Sequence, residues 1–217
     1  MADERIEALE KIAADVKVCK LCDLWKGRTH AVPGAGNYHA EIMFIGEGPG
    51  FNEDKQGLPF VGQSGKYLET LLKLINLKRE DVFITNVVKC RPPENRDPLP
   101  IEITTCKPYL DGQSDLIDPL VIVTLGRFSM ARYFPGGKIT QIHGQPKFEN
   151  GHAYIPLFHP AAVLRSRDLE PKMEADFKRI PEILAKVKQM RGSGGSGGQK
   201  PPSAPAEDAP PKQLSLF

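Results

Sequence analysis

The sequence predicts an α/β domain three layers deep, with a central, mostly parallel four-stranded sheet covered by helices on both faces. Three observations predict it. Four short runs rich in β-branched residues and bounded by Gly, Pro or Asn, at 42–45, 82–85, 121–125 and 154–158, read as buried strands. Between them, Tyr67, Leu68, Leu71, Leu72 and Ile75, then 101–117, then 128–133, carry helical spacing. Strands that are apolar throughout and alternate with helices belong to a parallel sheet covered on both sides.

At the start of the chain, Ile6, Leu9, Ile12, Ala13 and Val16 recur at helical intervals and stop before the CKLC turn, so the first helix delivers two cysteines. In a sheet of this type ligands bind beyond the carboxyl ends of the strands, which singles out GEGPG, NVVKCRP, GRFS and HPAAVLR. A last helix over 171–190, with Met173, Phe177, Ile180, Leu184 and Val187 on one stripe, closes a domain of residues 1–190. Residues 191–212 are rich in Gly, Ser, Pro and Ala and predict a disordered linker, because such a stretch buries too little apolar surface to order itself.

Charged residues form 26% of the chain and the net charge is +2, so no global field marks a nucleic-acid binder and any basic footprint is local. The N-terminus lacks the apolar run of a signal peptide, and no stretch approaches ~18 uninterrupted apolar residues. A soluble, cytoplasmic protein without a membrane partner is expected.

Two residues lie between Cys19 and Cys22, whereas 67 lie between Cys22 and Cys90 and 15 between Cys90 and Cys106. In a reducing compartment four such cysteines read as a metal site rather than two disulfides. Zinc and iron-sulfur clusters both take four thiolates, so the chemistry alone leaves the metal open.

GEGPG at 46–50 offers backbone N–H groups at close approach to a ligand, but Gly46, Gly48 and Gly50 alternate and do not fit the dinucleotide spacing. Taken alone, Phe60 reads as core packing, Asn86 as a strand-end turn and His159 as a turn or capping histidine. Taken together, Cys19-x-x-Cys22, Gly46–Gly50, the GLPFVG run at 57–62, the NVVKCRP run at 86–92, Cys106 and the HPAAVLR run at 159–165 resemble the family 4 uracil-DNA glycosylases in order and spacing, over about residues 10–190.

The resemblance implies a 4Fe-4S cluster on Cys19, Cys22, Cys90 and Cys106, and a uracil pocket built on Gly46, Gly48, Phe60, Asn86 and His159. Phe60 would stack on the extruded base, Asn86 would read its N3–H and O4 edge, and His159 would stabilise the departing uracil at O2. Glu47, Glu53 and Asn95 are implied to hold the attacking water or the sugar. Leu164 is the implied wedge filling the gap left by a flipped base, with Arg165 and Arg167 on phosphates. Lys89, Arg91 and Arg96 would extend a basic track or form a solvated face. No lysine is implied as a nucleophile, so a monofunctional enzyme acting as a monomer on uracil-containing DNA in base-excision repair is expected.

A related group that attaches covalently to uracil-DNA carries a nucleophilic histidine in the loop after the pocket asparagine. Here that loop, 91–105, has none, and Gly48 stands where that group has glutamine. Turnover is therefore expected, with His143 an ordinary loop residue. At the end of the chain QLSLF resembles the peptide by which bacterial repair proteins dock on the sliding clamp, with Gln213 on the clamp backbone and Leu214, Leu216 and Phe217 in its apolar pocket.

Overall fold

A computed structural model describes residues 4–193. Helix α1 (Glu4–Val18) runs into a 3-10 turn and a short edge strand, β1 (Ala35–Gly36), before the first central strand, β2 (Ile42–Gly46). The chain continues through α2 (Phe51–Gln56), α3 (Gln63–Leu74), β3 (Phe83–Asn86), α4 (Pro100–Ile117) and β4 (Val121–Leu125). Short helices α5 (Arg127–Ala131) and α6 (Ile139–Ile142) lead to β5 (Lys147–Glu149) and β6 (His152–Leu157). Helices α7 (Pro160–Arg165), α8 (Glu170–Lys178) and α9 (Ile180–Ser193) complete it.

The sheet order is β1-β3-β2-β4-β6-β5, parallel across β3, β2, β4 and β6 and antiparallel at both edges. The parallel centre is the expected four strands. The sheet itself has six, because the two- and three-residue edge strands are too short to show any hydrophobic alternation. The expected helix over 171–190 is also two helices: Pro181 lacks the N–H that would bond the Phe177 carbonyl, and the chain breaks at Arg179. Residues 191–193 finish α9; the remainder of the proposed linker and the 213–217 peptide lie outside the described residues.

Each central strand is apolar on both faces, and the pleat sends alternate residues to opposite layers. Ile42 and Phe44 join Leu68, Leu71, Leu72, Met173, Phe177, Ile183 and Val187 in the core under α3, α8 and α9. Phe44 stacks on Phe177 with ring centroids 5.6 Å apart. Met43 and Ile45 point the other way, into a core with Leu9 and Val16 of α1 and Cys106, Leu110 and Ile117 of α4. The α1 and α4 layer therefore carries cysteines, while the carboxyl ends of all four parallel strands open toward one rim. Among the described residues no helix is long and apolar enough to cross a membrane.

Candidate active site and four-cysteine cavity

A cleft of about 790 Å³ lies at that rim. It is lined by residues at the carboxyl end of each parallel strand: Glu47 to Glu53 after β2, Asn86 at the end of β3, Gly126 and Arg127 after β4, and Phe158 and His159 after β6. Strand β2 lies between its successors β3 and β4, the switch in strand order at which such sheets bind ligands.

Gly46 and Asn86 are register partners at the ends of β2 and β3. A Cβ on Gly46 would collide with Asn86 Oδ1 and stand 2.7 Å from the Phe60 ring, so glycine is what lets the amide and the ring meet there. Asn86 is 1% exposed, and its Oδ1 has no hydrogen-bond partner among the described residues. A buried carbonyl oxygen left unpaired costs about 1–3 kcal/mol, so this acceptor is built for a donor that arrives with a ligand.

Phe60 adopts a left-handed backbone with φ 52°, which costs a side chain of this size roughly 1–3 kcal/mol. Two devices hold it. The Arg79 guanidinium donates to the Phe60 carbonyl at 2.8 Å and to the Pro59 carbonyl at 2.5 Å. Gly65 passes so close beneath that any Cβ would collide with the Phe60 carbonyl. Hydrogen bonds from a charged donor contribute about 1.5–3 kcal/mol each, enough to offset the strain. Glu53 braces the same wall: its Oε1 accepts from Val61 N and Gly62 N, both at 2.8 Å.

His159 caps α7, its Nδ1 accepting from Ala161 N at 3.1 Å. With Nδ1 an acceptor, the neutral ring carries its proton on Nε2. Burial, reinforced by the Arg165 charge, pushes its pKa down to about 4, so it is neutral at physiological pH. The Phe60 and His159 ring centroids lie 5.8 Å apart.

Burial also raises the pKa of Glu47, against the lowering pull of the Arg127 and Phe128 amides at the start of α5. Asn95 lines the cleft, its Oδ1 accepting from Arg91 Nε at 2.7 Å. Gly48 and Arg165 line the cleft as well. Leu164 does not: it is half-buried and packs on the α3, α8 and α9 core. Neither His143 nor any lysine lines the cleft among the described residues; His143 Nδ1 is 2.6 Å from Asp176 Oδ2.

The expected basic track is corrected in one place. Lys89 is buried rather than on a surface, as is the whole of the 86–90 segment. Arg96 is exposed and lines the cleft, where it also forms a two-pronged ion pair with the buried Glu102, at 2.6 and 2.9 Å. Arg79 and Gly65 were invisible to sequence reasoning, one in a polar loop and the other inside an ordinary helix.

Cys19, Cys22, Cys90 and Cys106 line one small cavity together with Val16, Leu24 and Tyr109. Arg28 Nη1 donates to Cys90 Sγ at 3.1 Å and Lys89 N to Cys106 Sγ at 3.3 Å. Burial pushes the free Cys106 thiol up to about 11, so a cation is needed to hold these sulfurs as thiolates. No group of three or more His, Cys, Asp or Glu side chains among the described residues is disposed to hold one ion. Four cysteines that line one cavity are a donor set that zinc and an iron-sulfur cluster both accept.

Residues 33–185 match the Uracil DNA glycosylase superfamily. The chain is 49% identical over 194 residues to a type-4 uracil-DNA glycosylase of Sulfurisphaera tokodaii, covering 85% of this chain and 88% of that protein. It is 46% identical over 169 residues to the Thermotoga maritima protein of that name, covering 76% and 88%. With that of Archaeoglobus fulgidus it shares 44% over 193 residues, covering 83% and 96%. The chain therefore belongs to the uracil DNA glycosylase superfamily, on its type-4 branch.

Proposed function

We propose that the cleft hydrolyses the N-glycosidic bond of deoxyuridine in DNA, releasing uracil and leaving an abasic site that opens base-excision repair. The observation that carries this reading is the buried, unpaired Asn86 Oδ1 facing the same cleft as Phe60 and His159. An N3–H group supplies the missing donor, the Phe60 face stacks on the flipped base, and the His159 Nε2–H meets the charge that grows on O2 as the bond breaks. Glu47 and Asn95 both line the cleft and hold the attacking water, with the Glu47 carboxylate offsetting positive charge on the sugar. Glu53 acts by bracing the Phe60 wall. Arg165 lines the cleft and meets a phosphate there, and Leu164, on the same helix, leaves its packing on the core to enter the gap in the duplex.

The absence of lysine from the described cleft lining supports excision without strand cleavage. Covalent capture has less support, since His143 is held by Asp176. Incubation with uracil-containing single- and double-stranded DNA followed by alkali should cleave at uracil without an SDS-resistant adduct; intact DNA at every salt concentration would overturn the proposal.

The Arg79 clamp gives a quantitative check. Stacking of a base on an aromatic ring contributes about 1–3 kcal/mol, so Arg79→Met, which frees Phe60, lowers kcat/KM by about tenfold. Arg79→Lys keeps the charge but not the fork and recovers little of it. Steady-state kinetics on a uracil oligonucleotide measure both.

Cys19, Cys22, Cys90 and Cys106 would hold a 4Fe-4S cluster, which when bound cross-links α1, the 86–90 segment and α4. Freshly purified protein should be brown, with iron and sulfide in equal amounts. Cys106→Ser should lose the colour and several kcal/mol of stability, since binding at a site absent from the unfolded chain adds directly to folding free energy. A colourless, zinc-loaded protein would contradict this. The QLSLF peptide, Gln213, Leu214, Leu216 and Phe217, would dock the enzyme on the sliding clamp and raise its local concentration there.

A further inference from the structure

Lys89 stands between the two sites, and neither uracil excision nor cluster binding uses its side chain. It is 1% exposed and has no carboxylate partner among the described residues. Its Nζ instead lies 2.5 Å from Thr85 Oγ1, 2.7 Å from Gln113 Oε1 and 3.0 Å from the Asn86 carbonyl oxygen. All three act as acceptors. The Thr85 hydroxyl directs its own proton to the Pro33 carbonyl or to Gln113 Oε1, and Gln113 Nε2 donates to the Pro33 carbonyl at 2.7 Å. Three acceptors are the full complement of an ammonium group.

The main chain of the same residue is held as tightly. Lys89 N donates to Cys106 Sγ, its carbonyl accepts from Val32 N at 2.7 Å, and Cys90 comes directly after it. Packing does not explain a lysine here, because an apolar side chain of similar length would fill the space without burying a charge. What requires the ammonium is its set of acceptors, and one of them is the carbonyl of Asn86, the last residue of β3.

We infer that Lys89 is a positioning residue for base reading: its Nζ, donating to the Asn86 carbonyl, fixes the main chain of Asn86, and so the aim of the buried amide, against the cysteine-bearing helix α4. This rests on the cleft being a uracil pocket. The hydrogen-bond path runs from α4, through Gln113 and Thr85, to the one residue whose side-chain oxygen awaits the base.

A double-mutant cycle tests it, using single-turnover uracil release by wild type, Lys89→Met, Asn86→Ala and the double variant, with iron content measured for each. A residue that acts through Asn86 loses its effect once that amide is gone. Lys89→Met should slow release by about tenfold in the wild-type background and by less than about twofold in the Asn86→Ala background. Equal losses in both backgrounds would overturn the proposal. If Lys89→Met fails to fold or loses iron, Thr85→Val, near-isosteric and lacking one ammonium acceptor, enters the same cycle, with about threefold expected in the wild-type background and none in the other. An Asn86→Ala rate equal to wild type would instead sink the reading of the cleft itself.

Discussion

Asn86→Ala should slow single-turnover release of uracil by about 1,000-fold or more, the largest effect expected of any single change in the cleft. The size reflects where the amide sits. At 1% exposure it has no competing water, and its Oδ1 is without a partner among the described residues before substrate arrives. The hydrogen bond it makes to the base is therefore gained almost in full, whereas an exposed amide would merely exchange one partner for another. Stability should respond in the opposite direction, because the substitution removes a buried acceptor that is unsatisfied in the free protein. A thermal melt unchanged or raised, beside a collapsed rate, separates loss of reading from loss of fold.

His159→Ala should lower the rate by about 100- to 1,000-fold, the range for removal of one preorganised donor to developing negative charge. The sign of its pH behaviour is fixed by burial. With a pKa pushed down to about 4, the ring is neutral and carries the Nε2 proton throughout the range of roughly pH 5.5–8, so the wild-type profile should show no break near the ordinary histidine value of about 6.5 from this residue. Folding responds instead. The unfolded histidine takes up its proton below about pH 6.5 while the folded one does so only near 4. The neutral burial therefore contributes no penalty above about 6.5, and stability falls as pH drops through that window, by about 2 kcal/mol at pH 5. His159→Asn should flatten this slope, which denaturant titrations at about pH 5 and pH 8 measure.

The parallel core and the cleft were legible in the sequence because both leave local marks. Runs such as 42–45 and 121–125 can only be strands buried on two faces, and the ends of such strands are where a ligand binds. Phe60, Asn86 and His159 then came from the order of the motifs around them. The edge strands at Ala35–Gly36 and Lys147–Glu149 left no mark, since two or three residues carry no period. Arg79 and Gly65 were hidden for another reason: they act on the Phe60 main chain from 19 and 5 residues away, and nothing in a polar loop or an amphipathic helix signals a tertiary contact. Lys89 was misread as surface because its charge suggests solvent, while its three acceptors are gathered from β3 and α4 only on folding.

Specificity also has a physical boundary in this site. The orphan acceptor recognises a donor at the base edge, the stacked ring accepts any flat base, and the imidazole donor requires a leaving group that carries charge on oxygen. Uracil satisfies all three.

If Asn86 reads the N3–H of a flipped uracil and that reading is coupled to bond cleavage, blocking the N3 position should block the reaction. The most direct measurement is single-turnover base release from two otherwise identical oligonucleotides, one with deoxyuridine and one with N3-methyldeoxyuridine. Release of uracil as free base, with N3-methyluracil released about 1,000-fold more slowly, is the predicted result; equal release of both bases, or release of neither, would contradict it.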